Sequence, residues 1–353
     1  MKRIIYWDTG KSSFVLKDLA ILRTEFKVTD NSFLVKKKVW LPAYLLWQLV
    51  ISLFQIPFCS VVICQFAGYH SLMPFLIARL FNKPRVIIAG GTDCVAFYSM
   101  NYGNFSRKYL RWFTRKSFEW STLILPVTQA LIKQNYNYLS NDIDPKEQGY
   151  RAFVKKITAR EVVIYNGYDP KIWHPKQGVE RVKNSFITVG ANLHSRFAFQ
   201  LKGIDLFIEL ANNYPTCTFA ILGGEGLQLN SKPENLTLLP NQKNELLPEL
   251  YSQFEYYVQL SVSEGFPNAL TEAIFCGCRP IVSGVGGMPE IVMDKSMILG
   301  KKILNDLFSI VDKAISITDN SEQRINEVRE RFSIELRRQK LLEEIRNAID
   351  ADK

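Results

Sequence analysis

Residues 263–274 read Ser263-Glu264-Gly265-Phe266-Pro267-Asn268-Ala269-Leu270-Thr271-Glu272-Ala273-Ile274. Glu264 precedes a Gly/Pro turn, and Glu272 falls about one turn inside the apolar helix predicted from Asn268. The backbone N–H groups of residues 265–269 then lie at a helix N-terminus, where they can receive a phosphate. Carboxylates accept hydrogen bonds from sugar hydroxyls. A carboxylate next to a phosphate is repelled, so both acids should address a sugar or a ribose instead. Downstream, Cys276-Gly277-Cys278-Arg279-Pro280 ends that helix and begins a strand. Gly284-Val285-Gly286-Gly287-Met288-Pro289-Glu290 then forms a second glycine-rich loop before a helix. Two such loops on adjacent strands make a lined anion pocket.

The elements that must carry these loops alternate between strand and helix. Predicted strands in the first half are 3–7, 61–65, 85–89, 123–127 and 162–165; in the second they are 186–189, 218–222, 236–239, 256–260, 280–283 and 297–299. Several are unbroken apolar runs, the pattern of parallel strands buried on both faces. Helix-length segments such as 70–82 and 203–213 lie between them. A chain of 353 residues is long for one core, so two doubly wound α/β domains are expected. Their ligands should bind at the carboxyl ends of the strands. Asn166-Gly167 and Asp169-Pro170 are turn signals that mark a boundary. Residues 321–350 read as one closing helix.

Here the chain resembles the retaining family 4 glycosyltransferases. The resemblance rests on the Glu264-x7-Glu272 element, Gly277, Pro280 and the loop from Gly286-Gly287 to Glu290. It implies a GT-B fold: two Rossmann-like doubly wound domains facing a central cleft. Residues 1–170 would bind the acceptor and 171–334 the nucleotide-sugar donor, with a helix at about 335–353 packing back on the first domain. The resemblance places Glu264 on the donor sugar and Glu272 on the ribose. Weaker matches add Gly190 and Lys202 as the donor-phosphate strand and lysine, Gly223 and Gly224 as a glycine turn, and Gly10 as the loop facing the diphosphate. The stretch Gly265, Phe266, Pro267, Asn268 and Ala269 would supply the helix N-terminus. In the first half, the stretches 66–71 and 90–93 look like acceptor-side loops. Two features depart from the family. Ala191-Asn192 stand where Arg usually follows the donor strand, so Arg196 is the substitute. Gly90 stands where many members have His, so the acceptor-side role passes to His70 or Asp93. The catalytic candidates are therefore Glu264, Lys202, Asp93 and His70.

Composition narrows the alternatives. Residues 1–170 hold 23 Lys and Arg against 11 Asp and Glu, while the remainder holds 21 against 23. The basic half therefore seeks a phosphate-rich partner. Nucleic acid is not expected, because no recognised binding module with base-stacking aromatics is present. There is no P-loop and no dinucleotide fingerprint. The six cysteines lie in apolar surroundings and read as reduced core thiols. The three histidines, His70, His174 and His194, are scattered, so no metal site is expected. Asp142-Ile143-Asp144 has the Asp-x-Asp form of metal-dependent enzymes but lacks the preceding apolar strand. Lys36-Lys37-Lys38 precedes forty uncharged residues, 39–78. Trp40–Phe54 within them is a core helix, a helix in a membrane interface, or a span.

The expected function is metal-independent transfer of a sugar from a nucleotide diphosphate sugar to a hydroxyl of a glycan or lipid-linked acceptor in surface polysaccharide biosynthesis. No cofactor beyond that co-substrate is expected. No secretory signal is apparent, which gives a cytoplasmic protein, peripheral on the inner face of the cell membrane. The alternative is a non-catalytic nucleotide-sugar or glycan binding protein on the same fold.

Overall fold

The computed structural model describes every residue except Lys36, Ala191, Asn192, His194, Thr318, Asp319, Asn320, Asp352 and Lys353; of Lys38 only the backbone is described. Part of the lysine cluster, the Ala191-Asn192 departure and one of the three histidines thus lie outside the described residues. The chain divides into two compact units, residues 1–135, 142–166 and 335–353, and residues 136–141 and 167–334.

The first unit contains β1 (Arg3–Asp8), α1 (Ser13–Arg23), β2 (Lys27–Ser32), α2 (Leu41–Gln55), β3 (Val61–Gln65), α3 (Tyr69–Leu80), β4 (Arg85–Ala89), α4 (Lys108–Trp120) and β5 (Leu123–Pro126). A short antiparallel pair, β6 (Gln134–Asn135) and β7 (Glu147–Gln148), precedes α5 (Tyr150–Phe153) and β8 (Arg160–Glu161). Six strands form one parallel sheet, ordered β2-β1-β3-β4-β5-β8. Its central strands are mostly apolar and buried beyond their first residue, and every residue of β3 is buried. Strand β2 was not evident in the sequence. Lys-Val-Thr-Asp-Asn-Ser is polar, which an edge strand tolerates because it packs against only one neighbour. The strand expected at 162–165 is assigned at 160–161, although the amides of Val162 and Ile164 still bond to Ile124 and Pro126 of β5 at 3.0 Å.

The second unit contains β9 (Val182–Val189), α6 (Arg196–Leu201), α7 (Ile204–Asn213), β10 (Thr218–Leu222), β11 (Leu236–Leu239), α8 (Leu247–Gln253), β12 (Phe254–Gln259), α9 (Asn268–Phe275), β13 (Arg279–Ser283), α10 (Met288–Ile291), β14 (Ile298–Leu299), α11 (Leu304–Ser316) and α12 (Ser321–Phe332). Its six-stranded parallel sheet is ordered β11-β10-β9-β12-β13-β14. The candidate loop 261–267 leaves the carboxyl end of β12, a central strand.

The closing helix is two helices, not one. Helix α12 stops at Phe332, and α13 (Ile334–Asp350) begins after Ser333. The cause is a competing backbone pairing. The Tyr168 amide donates to Phe332 O, and the Ile334 amide donates to Tyr168 O, both at 2.9 Å. Those bonds replace the helical ladder at the break. Residues from Glu335 onward belong to the first unit. There Arg337, 4% exposed, donates to both oxygens of fully buried Asp18 on α1 at 2.7 and 2.6 Å. It also donates to the carbonyls of Ile164 and Tyr165.

Breaking a buried ion pair from one side strands the other charge and costs about 3–5 kcal/mol. Arg337→Met is therefore expected to destabilise the first unit by that amount in urea denaturation. Asp18→Asn combined with Arg337→Met should recover part of the loss, because no charge is then left alone.

Candidate functional site

Glu264 sits on the loop after β12 with its side chain 12% exposed. One carboxylate oxygen, Oε1, accepts three hydrogen bonds: from Lys202 Nζ at 2.7 Å, Gln259 Nε2 at 2.8 Å and Ser261 Oγ at 2.8 Å. Among the described residues nothing donates to Oε2. The carboxylate is thus fixed through one oxygen and open at the other. Lys202 ends α6 and is 32% exposed, and an ammonium has three N–H donors, of which Glu264 takes one.

The loop is held from below. Ser283 Oγ of β13 donates to Ser261 O at 2.5 Å, and the Gly287 amide donates to Gly265 O at 3.0 Å. Gly286 has φ +55°, and a Cβ there would lie 1.8 Å from Glu264 O. This glycine is required both by its left-handed backbone and by the space it leaves. Residues 136–141 also belong to this unit. Tyr136 and Tyr138 donate their hydroxyls to the carbonyls of Val262 and Leu260 at 3.0 and 3.3 Å. Both tyrosines are buried, and no local pattern signals their role, because they lie over 120 residues from the loop.

Helix α9 begins at Asn268, so its first amides have no intrahelical acceptor. Asn268 Oδ1 accepts from the Tyr168 hydroxyl. Phe266 is 6% exposed and packs on Tyr168 and Phe332. These two side chains therefore shape the turn. Pro267 O accepts from the Thr271 amide. Glu272 lies half-buried within α9. At the neighbouring strand ends, the Gly190 amide donates to Leu222 O at 3.0 Å. Those of Gly223 and Gly224 donate to Leu239 O at 2.9 and 3.1 Å. Arg196 is the first residue of α6.

In the first unit, Gly10 follows β1, and its amide donates to Asp8 Oδ1 at 2.9 Å. The two acceptor-side candidates differ. Asp93 is fully buried. Its Oδ2 accepts from the Ala67 amide at 3.0 Å, and its Oδ1 from the Gly90 and Gly91 amides at 3.2 and 3.0 Å. Burial pushes its pKa up, against the pull of those amides. Asp93 ties together the loops after β3 and β4. His70 instead lines a cavity of 1280 Å³. Its Nε2–H donates to Gln65 O at 2.6 Å, and that bond leaves Nδ1 as the acceptor nitrogen. Gly90, the departure from the family's histidine, has no room for a side chain: a Cβ would meet the Phe66 ring at 1.9 Å.

Among the described residues no group of three or more His, Cys, Asp or Glu could hold a metal ion. All six cysteines are buried and free, and burial pushes the Cys278 thiol up to about 12. Asp144 is buried and accepts from Ser99, both from its amide and from its hydroxyl.

The family model described as "Glycosyl transferases group 1" matches residues 177–332, the span that contains Lys202, Glu264 and Glu272. The chain is 26% identical over 193 residues to a phosphatidylinositol N-acetylglucosaminyltransferase subunit of Arabidopsis thaliana, covering 50% of this chain and 41% of that protein. It is 31% identical over 140 residues to alpha-galactosylglucosyldiacylglycerol synthase of Streptococcus pneumoniae, covering 33% of this chain and 36% of that one. The chain thus spans about two fifths of the length of these relatives. Anabaena HepE, solved in complex with UDP, superposes with a TM-score of 0.70 at 14% identity, covering 98% of this chain and 100% of that one. At that identity the likeness is one of fold, and with the two parallel sheets it makes this a GT-B architecture.

Burial pushes the His70 imidazole below its ordinary pKa of 6.5, against the opposing pull of the Gln65 carbonyl. The unfolded chain then binds the proton more readily than the folded one. Stability is expected to fall as pH drops through about 6.5 and below. His174 is shifted the same way, first by partial burial and then by Lys176 and Arg329. His70→Gln should accordingly remove part, not all, of the stability difference between pH 7.5 and 5.5, measured by urea denaturation at each pH.

Proposed function

We propose that this chain is a retaining, metal-independent glycosyltransferase of the hexosyltransferase class. It moves a sugar from a nucleoside diphosphate sugar to a hydroxyl of a glycan or lipid-linked acceptor. The observation that carries the reading is Glu264, braced by three donors on Oε1 and open at Oε2, within the group 1 span. In this reading Oε2 accepts from a donor-sugar hydroxyl and Glu272 holds the ribose. Two N–H groups of Lys202 and the backbone amides at the N-terminus of α9 take the diphosphate, with Gly190, Gly223, Gly224, Arg196 and Gly10 lining the donor. Cation and amides stabilise the negative charge that develops on the leaving group. On the acceptor side, His70 Nδ1 accepts from the incoming hydroxyl, while Asp93 positions the loops. The family likeness to enzymes named for glycolipid substrates supports a lipid-linked acceptor.

The same reading puts the enzyme at the inner face of a membrane. Helix α2 is inside out. Its only fully buried residues are Gln48 and Ser52, whereas Leu46, Trp47, Val50, Leu53 and Phe54 are exposed, Phe54 by 75%. Gln48 Nε2 donates to His70 O, and Gln48 Oε1 and Ser52 Oγ find no partner among the described residues. Residues Leu41–Phe58 are long and apolar enough to cross a membrane by length and composition, yet little of the segment is buried. A helix with its polar face on the protein and its apolar face outward suits the interface of a bilayer.

Glu264→Gln and Lys202→Ala are each expected to lower turnover about a hundredfold, roughly 3 kcal/mol, with folding intact. Transfer should survive excess chelator. Near wild-type turnover in either variant would remove that residue from the mechanism, and loss of activity in EDTA with rescue by Mn²⁺ would remove metal independence.

On sedimentation with anionic vesicles the protein should co-pellet, less so in high salt. Leu46→Glu combined with Phe54→Glu should abolish binding, since charges on that face cannot enter the interface. Unchanged co-sedimentation would show that α2 is not the anchor.

A further inference from the structure

The cavity that His70 lines lies wholly within the first unit, and its wall is unusual in charge and polarity. At 1280 Å³ it exceeds the roughly 300–1,000 Å³ of ordinary small-molecule sites. One part is apolar: Phe33, Leu34, Val35, Leu41, Phe66 and Phe113. The rest includes Arg107 and Lys108, and none of its lining residues is acidic. The two cations are exposed, and among the described residues neither side chain has an ion-pair or hydrogen-bond partner. Five other basic residues of this unit are paired with acids: Lys11 with Asp8 and Asp30, Arg23 with Asp30, Lys116 with Glu119, Arg151 with Glu161, Arg160 with Glu344. Adjacent uncompensated cations beside an apolar wall match one ligand chemistry, an anionic head joined to a hydrocarbon chain. Leu41 connects this wall to the exposed helix, since it is the first residue of α2.

We propose that the cavity binds a phosphate-bearing lipid, with the phosphate on Arg107 and Lys108 and the hydrocarbon along Phe33, Leu34, Leu41 and Phe113. This deepens the acceptor reading above and rests on it: the acceptor is an anionic amphiphile whose hydroxyl lies next to its phosphate, within reach of His70. Arg107 forms paired bonds to phosphate oxygens and Lys108 adds a point charge. The apolar wall discriminates against free phosphates, which gain nothing there.

Decyl phosphate, kept below its micelle concentration, is the probe, titrated into the full chain by isothermal calorimetry beside inorganic phosphate and decyl maltoside. Decyl phosphate should bind at least about tenfold tighter than either. Arg107→Ala combined with Lys108→Ala, at two exposed positions, should weaken decyl phosphate about tenfold or more, the size of a lost charge-assisted contact, and leave decyl maltoside unchanged. Phe54→Glu, outside the cavity, should leave decyl phosphate binding as it was, which separates this site from membrane docking. Equal binding of inorganic phosphate would overturn the proposal, since no chain would then be recognised. Equal binding of decyl maltoside, or no effect of the double variant, would overturn it by removing the anion. UDP titrated into the same preparation reports on the donor reading separately. UDP binding without decyl phosphate binding overturns this inference and leaves the donor site standing.

Discussion

The guanidinium of Arg337 closes the first unit. It satisfies both oxygens of Asp18 and the last two carbonyls before the chain leaves at Asn166. A carboxylate with no solvent access is unsustainable without such a partner. Three distant stretches of sequence, on α1, after β8 and on α13, are thereby fixed in one place. The sheet they cover carries the Gly10 loop at the end of β1 and the His70 and Asp93 loops at the ends of β3 and β4. The positions of these loops depend on that closure.

The second unit solves a related problem at Glu264. A partly buried carboxylate with one oxygen left open needs support that does not use up both. Putting three donors on Oε1 does this, and the supports come from four directions. Lys202 arrives from the end of α6, Gln259 and Ser261 from the end of β12 and the start of the loop, and Gly286 from the next loop. The two tyrosines of residues 136–141 hold the backbone at Leu260 and Val262. Substituting Gln259, Ser261, Gly286 or either tyrosine would disturb the carboxylate's aim through its neighbours alone. This is how a site is made rigid through its neighbours.

Much of the architecture was legible because buried parallel strands are continuous apolar runs. Val61–Gln65, Arg85–Ala89, Thr218–Leu222 and Leu236–Leu239 are found where they were expected. The α/β class followed from their alternation with helices. Strand β2 was missed because an edge strand needs no such run. The α12–α13 break was missed because Ser333 is ordinary in a helix, and only the pairing with Tyr168 forbids it. In the site, Glu264 and Lys202 were legible from local pattern, and the structure brings them together at 2.7 Å. The tyrosine supports were not, since their partners are backbone carbonyls, which carry no sequence signal. Periodicity could not settle α2, because its register is inverted: Gln48 and Ser52 face the protein. Asp93 and His70 could not be distinguished by pattern, since each is a polar residue shortly after a strand; their different surroundings appear only in the structure.

Neither unit is a single stretch of chain, and this fixes an order of events during synthesis. The first unit is begun before the second, yet it lacks its Arg337 clamp until residues 167–334 have followed. At about 5–20 residues per second, the stretch between Asn166 and Glu335 takes on the order of ten to thirty seconds to make. For that interval Asp18 has no partner. The nascent first unit must wait in an incomplete state, with the apolar face of α2 already outside, while the second unit assembles behind it. Residues 136–141 also wait for the carbonyls of Leu260 and Val262 that they will bond. The domain translated second is thus the first that can finish folding.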